Sequence, residues 1–175
     1  MEYVVIEPDA VSEPGLRADL LDTWIAATDA GGSVGFTAPA PVHQVAETLD
    51  LALERVAAGR DLLGVLHNGD RYVGMGLLVA NSGSLSSHWR TVLRVMVHPK
   101  YQAAGAGRLL MTGLRGSAEQ LGLEQLMLTI RDGSTLDAFY TKLGYRVVGS
   151  HPRAVRVTET DYRDEIMLVT DLNRS

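Results

Sequence analysis

The stretch from Trp89 to Ile130 constrains the fold more than any other part of the chain. "WRTVLRVMV" alternates as a strand into Val97, His98-Pro99 breaks it, and "QAAGAG" leads into the amphipathic run "GRLLMTGLRGSAEQLG". "EQLMLTI" then resumes as a strand over Glu124 to Ile130. A strand, a glycine turn, a helix and a second strand make a β-α-β unit, which commits both strands to a mixed sheet covered by the helix.

The rest of the chain supplies partners for that unit. "EYVVIEP" (Glu2 to Pro8) reads as a first strand ended by proline. Leu16, Leu20, Leu21 and Trp24 follow at helical spacing, with Pro14 suited to a first turn. A loop rich in glycine and proline, Gly31 to Pro41, precedes a second helix whose apolar face is Val42, Val45, Leu49, Ala52, Leu53 and Val56. "DLLGVLHN" and "RYVGMGLLVA" are strands joined by an Asn-Gly-Asp turn of hairpin type. In the helix after the glycine turn, Leu109, Leu110, Leu114, Ala118 and Leu121 face inward. A short helix at about Thr135 to Leu143 and two strands, "YRVVGS" and "DEIMLVTD", close the chain. The order β, α, α, β, β, β, α, β, α, β, β predicts an α/β fold with about seven strands in one domain spanning 1–175.

Composition narrows the function. The net charge of −5 argues against a general nucleic-acid binder, which carries a basic face. With no cysteine, disulfide scaffolds, thiolate metal sites and cysteine nucleophiles are all excluded. The five histidines have no paired ligand spacing, so no metal is expected. "MEYVVIEPDA" has neither a basic nor a long apolar leader segment, and no stretch has the length of a membrane span. The expectation is a cytoplasmic protein with no membrane partner.

Gly105 and Gly107 are poor helix formers placed where a helix begins. A helix N-terminus offers unpaired backbone N–H groups and the positive end of the dipole, and small residues let an anion approach them. The segment Gln102 to Gly107 is therefore suited to a pyrophosphate, with Arg108 adding positive charge on the first turn. The spacing of a P-loop is absent, and a dinucleotide fingerprint fails because Leu110 stands where its third glycine belongs. A plain strand-to-helix turn accounts for the same glycines equally well.

"LRVMVHPKYQAAGAGRLLM" and, some thirty residues on, "LDAFYTKLGYRVVG" resemble the two characteristic motifs of the GNAT superfamily of N-acyltransferases. The resemblance covers roughly Trp89 to Gly149. It implies a mostly antiparallel, about seven-stranded sheet flanked by about four helices, with acetyl-CoA as cosubstrate. It implies that the strand at Val95, Met96 and Val97 pairs with the pantetheine arm while Leu128 to Ile130 splays away. It further implies that Gln102, Ala103, Ala104, Gly105, Ala106, Gly107 and Arg108 hold the pyrophosphate. Gly133, Ser134, Asp137, Phe139 and Tyr140, then Gly149, Pro152 and Asp164, are similar to a bacterial subgroup that includes the tabtoxin-resistance acetyltransferases.

On residues alone Tyr140 is a helical aromatic of the kind that packs in a core. The resemblance implies that it is the general acid for the departing thiolate, a task its phenol suits because it stays protonated at neutral pH. The subgroup's glutamate on the strand before the glycine turn falls at Thr91, which cannot act as a base. Asp132 is the surviving carboxylate for that role, though an Asp-Gly turn explains it as well. His98 reads as structural and His88 as exposed. Phe36 and Trp24 are candidates for apolar contact with an acceptor, though Trp24, on the apolar face of its helix, reads first as core packing. Glu159, Asp161, Asp164 and Glu165 are candidates to attract a cationic acceptor, though such a charge cluster is more often a solvated turn. The expected reaction is acetylation of a primary amine on a small molecule by a monomer or homodimer. The alternatives are a protein lysine or N-terminal acetyltransferase and a non-catalytic CoA-binding regulatory module.

Overall fold

In the computed structural model, which describes residues 1–102, 105–134 and 136–172, every strand belongs to one sheet. The strands are β1 (Glu2–Ile6), β2 (Leu62–His67), β3 (Tyr72–Ala80), β4 (Trp89–Val97), β5 (Gln125–Arg131), β6 (Arg146–Arg156) and β7 (Tyr162–Asp171). They lie in the order β1-β2-β3-β4-β5-β7-β6. All neighbours are antiparallel except β4 and β5, the two strands of the β-α-β unit. The expected fold class and seven strands are thus found.

Four helices cover the two faces: α1 (Leu16–Asp29), α2 (Val42–Ala57), α3 (Ala106–Gln120) and α4 (Leu136–Thr141). On one face α1 and α2 bury Leu16, Leu20, Trp24, Val45, Leu49 and Val56 against Leu63, Val65, Met75 and Met96. On the other, Leu110, Leu114 and Ala118 of α3 join Tyr140, Tyr145, Leu126, Leu128 and Leu168. β2 and β3 feed both cores, which is why they read as near-continuous apolar runs. No described helix is long and apolar enough to cross a membrane.

Three inward assignments from the helical pattern do not hold. Val42, Leu109 and Leu121 are exposed, and α3 instead turns Ala106, Leu110, Met111, Leu114, Ser117 and Ala118 inward. Ser117 replaces leucine on that face because Tyr3 of β1 reaches under the helix and hydrogen-bonds its Oγ at 2.8 Å. β6 runs well beyond the predicted "YRVVGS", its outer half paired to β7 as an exposed hairpin.

Candidate active site

The site arises from a parting of the sheet. β4 and β5 pair only through Trp89–Gln125, Arg90–Leu126 and Thr91–Met127, although both strands continue past that point. Beyond it, Val92 to Val97 and Leu128 to Arg131 present facing edges with no ladder between them. An unpaired backbone edge is a row of donors and acceptors that an extended polar chain can satisfy. β4 also carries a bulge against β3, where Met75 opposes Met96 but Leu77 opposes Leu93. The extra residue puts Arg94 at φ 55 and bends the strand where the slot opens.

A cleft of about 960 Å³ passes through this slot from one face of the sheet to the other. On the α3 face it is lined by Val95, Val97, Gln102, Gly105, Ala106, Gly107, Leu128, Phe139 and Tyr140. On the α1–α2 face it meets Arg94, Thr129, Arg131, Glu165 and the loop from Gly32 to Thr37.

Gly105 stands at φ 84 as the N-cap of α3, and a Cβ there would meet nothing within 4 Å. Its glycine therefore serves the left-handed turn and leaves the helix N-terminus open. The Gln102 amide donates to the Val97 carbonyl at 2.8 Å, tying the turn to the end of β4. Arg108 is exposed on the first turn of α3 and is not among the cleft's lining residues. Ala103 and Ala104 lie outside the described residues.

Tyr140 packs its ring edge-on to Phe139 and Tyr145, at centroid distances of 5.1 and 5.7 Å. Burial pushes its phenol pKa up to about 12. Its hydroxyl has no hydrogen-bond partner among the described residues and is not sealed from solvent, and Tyr140 is one of the cleft's lining residues.

The acidic candidates separate. Asp132 lies in the turn after β5, exposed, its Oδ1 accepting the Gly133 N–H at 2.8 Å, and it does not line the cleft. Asp161 pairs with Arg163 at 2.6 Å, and Asp164 accepts the Arg153 N–H at 2.9 Å. Glu165 alone among the described acidic residues lines the cleft, accepting from the Thr129 hydroxyl at 3.0 Å. Glu165 was legible only as a member of an acidic cluster, because its place depends on β7 lying beside β5. Thr91 sits in the paired base of the slot and does not line the cleft either.

His98 is buried, its Nδ1 accepting the Lys100 N–H at 3.2 Å and its Nε2 lying 3.6 Å from Asp22, as suits a structural residue. Trp24 is fully buried and donates from Nε1 to the Val34 carbonyl at 3.0 Å, which fastens the loop between α1 and α2. Among the described residues no three His, Cys, Asp or Glu side chains gather as a metal site.

The sheet is thus parted between two parallel strands, with a glycine-capped helix beside the gap and a free strand edge open to the cleft. The sequence model of the acetyltransferase (GNAT) domain matches residues 29–165, and the chain belongs to that family. It is an acetyl-CoA-dependent N-acetyltransferase.

Solved structures share the fold along the whole chain. A candidate acetyltransferase from Salmonella typhimurium, determined with its cofactor acetyl-CoA, superposes with a TM-score of 0.75 at 15% identity, covering 100% of this chain and 96% of that one. The ribosomal-protein-S18-alanine N-acetyltransferase of Escherichia coli gives 0.68 at 18% identity, covering 99% and 96%. A candidate phosphinothricin N-acetyltransferase gives 0.76 at 13% identity, covering 99% and 100%. At these identities the likeness is one of fold.

Proposed function

We propose that the chain, acting as one domain over 1–175 in the cytoplasm, transfers the acetyl group of acetyl-CoA to the primary amine of a small molecule. The observation that carries this reading is the end of the β4–β5 ladder at Thr91–Met127, with Tyr140 and Gly105 lining the cleft that opens there. The free edge of β4 at Val95, Met96 and Val97 takes the pantetheine arm in the place of a strand. The turn from Gln102 through Gly107, with Arg108, takes the pyrophosphate at the helix N-terminus. Tyr140 donates its proton to the thiolate as the thioester bond breaks.

Deprotonation of the acceptor needs a carboxylate within reach of the slot. Asp132, the sequence candidate, would have to leave its turn to serve, whereas Glu165 already faces the cleft. Glu165 is therefore the better base, directly or through one water. A small acceptor is favoured by the Gly31–Pro41 loop. It lies over the acceptor side, tied down by Trp24 and Arg94 at Val34 and by Asp29, which accepts the Ala40 N–H at 2.7 Å.

Calorimetric titration with CoA, followed by thiol release from acetyl-CoA over small amines and short peptides, tests the reading. CoA binding with turnover of small amines is expected. Failure to bind CoA would overturn the donor site, and turnover of peptides alone would overturn the small acceptor.

A further inference from the structure

We propose that the acceptor carries an anionic group, a carboxylate or a close equivalent, within a few bonds of its amine, and that Arg94 binds it. This rests on the acetyl-transfer reading above. The β4 bulge turns Arg94, together with Leu93, toward the acceptor side of the sheet. A non-glycine residue in the left-handed region is uncommon, and here it directs a long cationic side chain into the cleft.

The guanidinium lies over the Trp24 ring, 5.2 Å from its centroid, and donates from Nη1 to the Val34 carbonyl at 2.9 Å. That is its only hydrogen bond among the described residues, and its other N–H groups are not sealed from the cleft. Gly35 makes room for it, since a Cβ there would stand 1.8 Å from Nη1. The side chain is thus seated firmly with most of its donors unused.

Among the described residues Arg94 has no acidic partner. Arg17, Arg55, Arg71, Arg115, Arg146 and Arg163 each lie within ion-pair distance of an aspartate or glutamate. Burial draws the Arg94 guanidinium below the usual arginine value, with no carboxylate to offset it. It is still charged at neutral pH, and a half-buried charge without a counterion is costly unless an occupant supplies one.

The surroundings have the same sign. Among the described lining residues Arg94, Arg131 and Arg156 face the cleft against the single acid Glu165, in a chain whose net charge is −5. The planar guanidinium fork matches a carboxylate in two parallel hydrogen bonds. Arg94 adjoins Val95, whose main chain borders the slot, so an anion held there brings a nearby amine to the acetyl donor. Glu165, reaching in from β7, then meets the ammonium. The acceptor class is a small zwitterion, of which an amino acid is the simplest case. This departs from the cationic acceptor that the acidic cluster alone suggested.

The test compares matched acceptors on the intact protein: L-amino acids, their amides and their decarboxylated amines, with thiol release from acetyl-CoA as the readout. Calorimetric binding of the N-acetyl amino acids to the CoA-loaded protein runs beside it. The acids are expected to exceed the amides in kcat/KM by at least about tenfold, the worth of one charge-assisted hydrogen bond. Arg94→Met should erase that preference by raising KM for the acids, with CoA affinity unchanged, and Arg94→Lys should restore part of it. Equal use of acids and amides by the wild-type protein, or CoA binding with no affinity for any N-acetyl acid, would overturn the inference and leave the donor site standing. Absence of CoA binding would instead strike the acetyl-transfer reading. The wild-type comparison decides the matter even if Arg94→Met fails to fold.

Discussion

Thr91 of β4 and Met127 of β5 form the last pair of the one parallel ladder in the sheet, and every cleft residue on those two strands lies beyond them. Position 91 therefore belongs to the closed base of the slot. A carboxylate introduced there would not stand beside the acceptor amine. Thr91→Glu is expected to leave turnover unchanged in a thiol-release assay. A large gain would mean that this position reaches the reacting amine after all.

Gly105 should matter to the donor through its backbone and not through packing. At φ 84 a β-branched side chain is strained, while the space around it is open. Gly105→Val must either hold the strain or rotate the first turn of α3 away from the geometry that aims its N–H groups outward. CoA affinity is expected to fall by about tenfold or more, since distortion of this kind costs about 1–3 kcal/mol. Unchanged affinity by calorimetry would remove the pyrophosphate from this turn.

Tyr140→Phe separates chemistry from binding. Loss of the general acid should lower kcat by roughly 100-fold or more, with CoA affinity kept. Full activity in the variant would take Tyr140 out of the mechanism.

The same burial makes Tyr140 a stability marker at alkaline pH. Its folded pKa is pushed up to about 12, above a reference of about 10. Below pH ~10 both the folded and unfolded chains hold the proton, so its contribution is fully present there. Between pH ~10 and ~12 the unfolded chain releases the proton first, and that stability is lost as the pH rises. Denaturant unfolding should show a decline over this window that is shallower in Tyr140→Phe. Tyr145, Tyr3 and Tyr72, also raised by burial, contribute to the same decline. Identical alkaline profiles for the two proteins would contradict this account.

Much of the fold was legible because its signals are local. Alternation marked β4 and β5, helical spacing marked α1 to α3, and Asn-Gly-Asp marked the hairpin of β2 and β3. The slot was legible only through resemblance, because a gap between strands leaves no residue pattern of its own. Glu165 and Arg94 were obscured for related reasons. Glu165 enters the cleft because β7 inserts between β5 and β6, a non-local event. Arg94 enters because a bulge breaks the alternation that would have assigned its face. Leu121 was misplaced because α3 ends at Gln120 and Leu121 is its C-cap, and Leu109 because the inward arc runs through Ala106, Leu110, Met111, Leu114, Ser117 and Ala118.

Asp61 fastens the acceptor-side wall to the sheet. It follows α2, receives Arg55 in a two-pronged pair at 2.5 and 2.8 Å, and accepts the Ala80 N–H at the end of β3 at 3.0 Å. Burial alone would raise its pKa, but the Arg55 guanidinium and the Ala80 N–H together hold it below the usual carboxylate value. A depressed folded value means stability that is present above the unfolded pKa of about 3.9 and is lost as the pH falls through the folded one. Asp61→Asn keeps the shape but removes the charge that Arg55 and the amide require. Arg55 is partly solvated, so the expected loss at pH 7 is about 2 kcal/mol, within the range for a hydrogen bond to a charged group and below that for a fully buried pair. For a domain of this length that corresponds to a fall of roughly 4–8 °C in Tm. As the pH falls through the depressed folded value the wild-type Asp61 itself loses its charge, so the two melting curves should converge. A constant gap between them across the acid range would show that the loss is one of packing and not of charge.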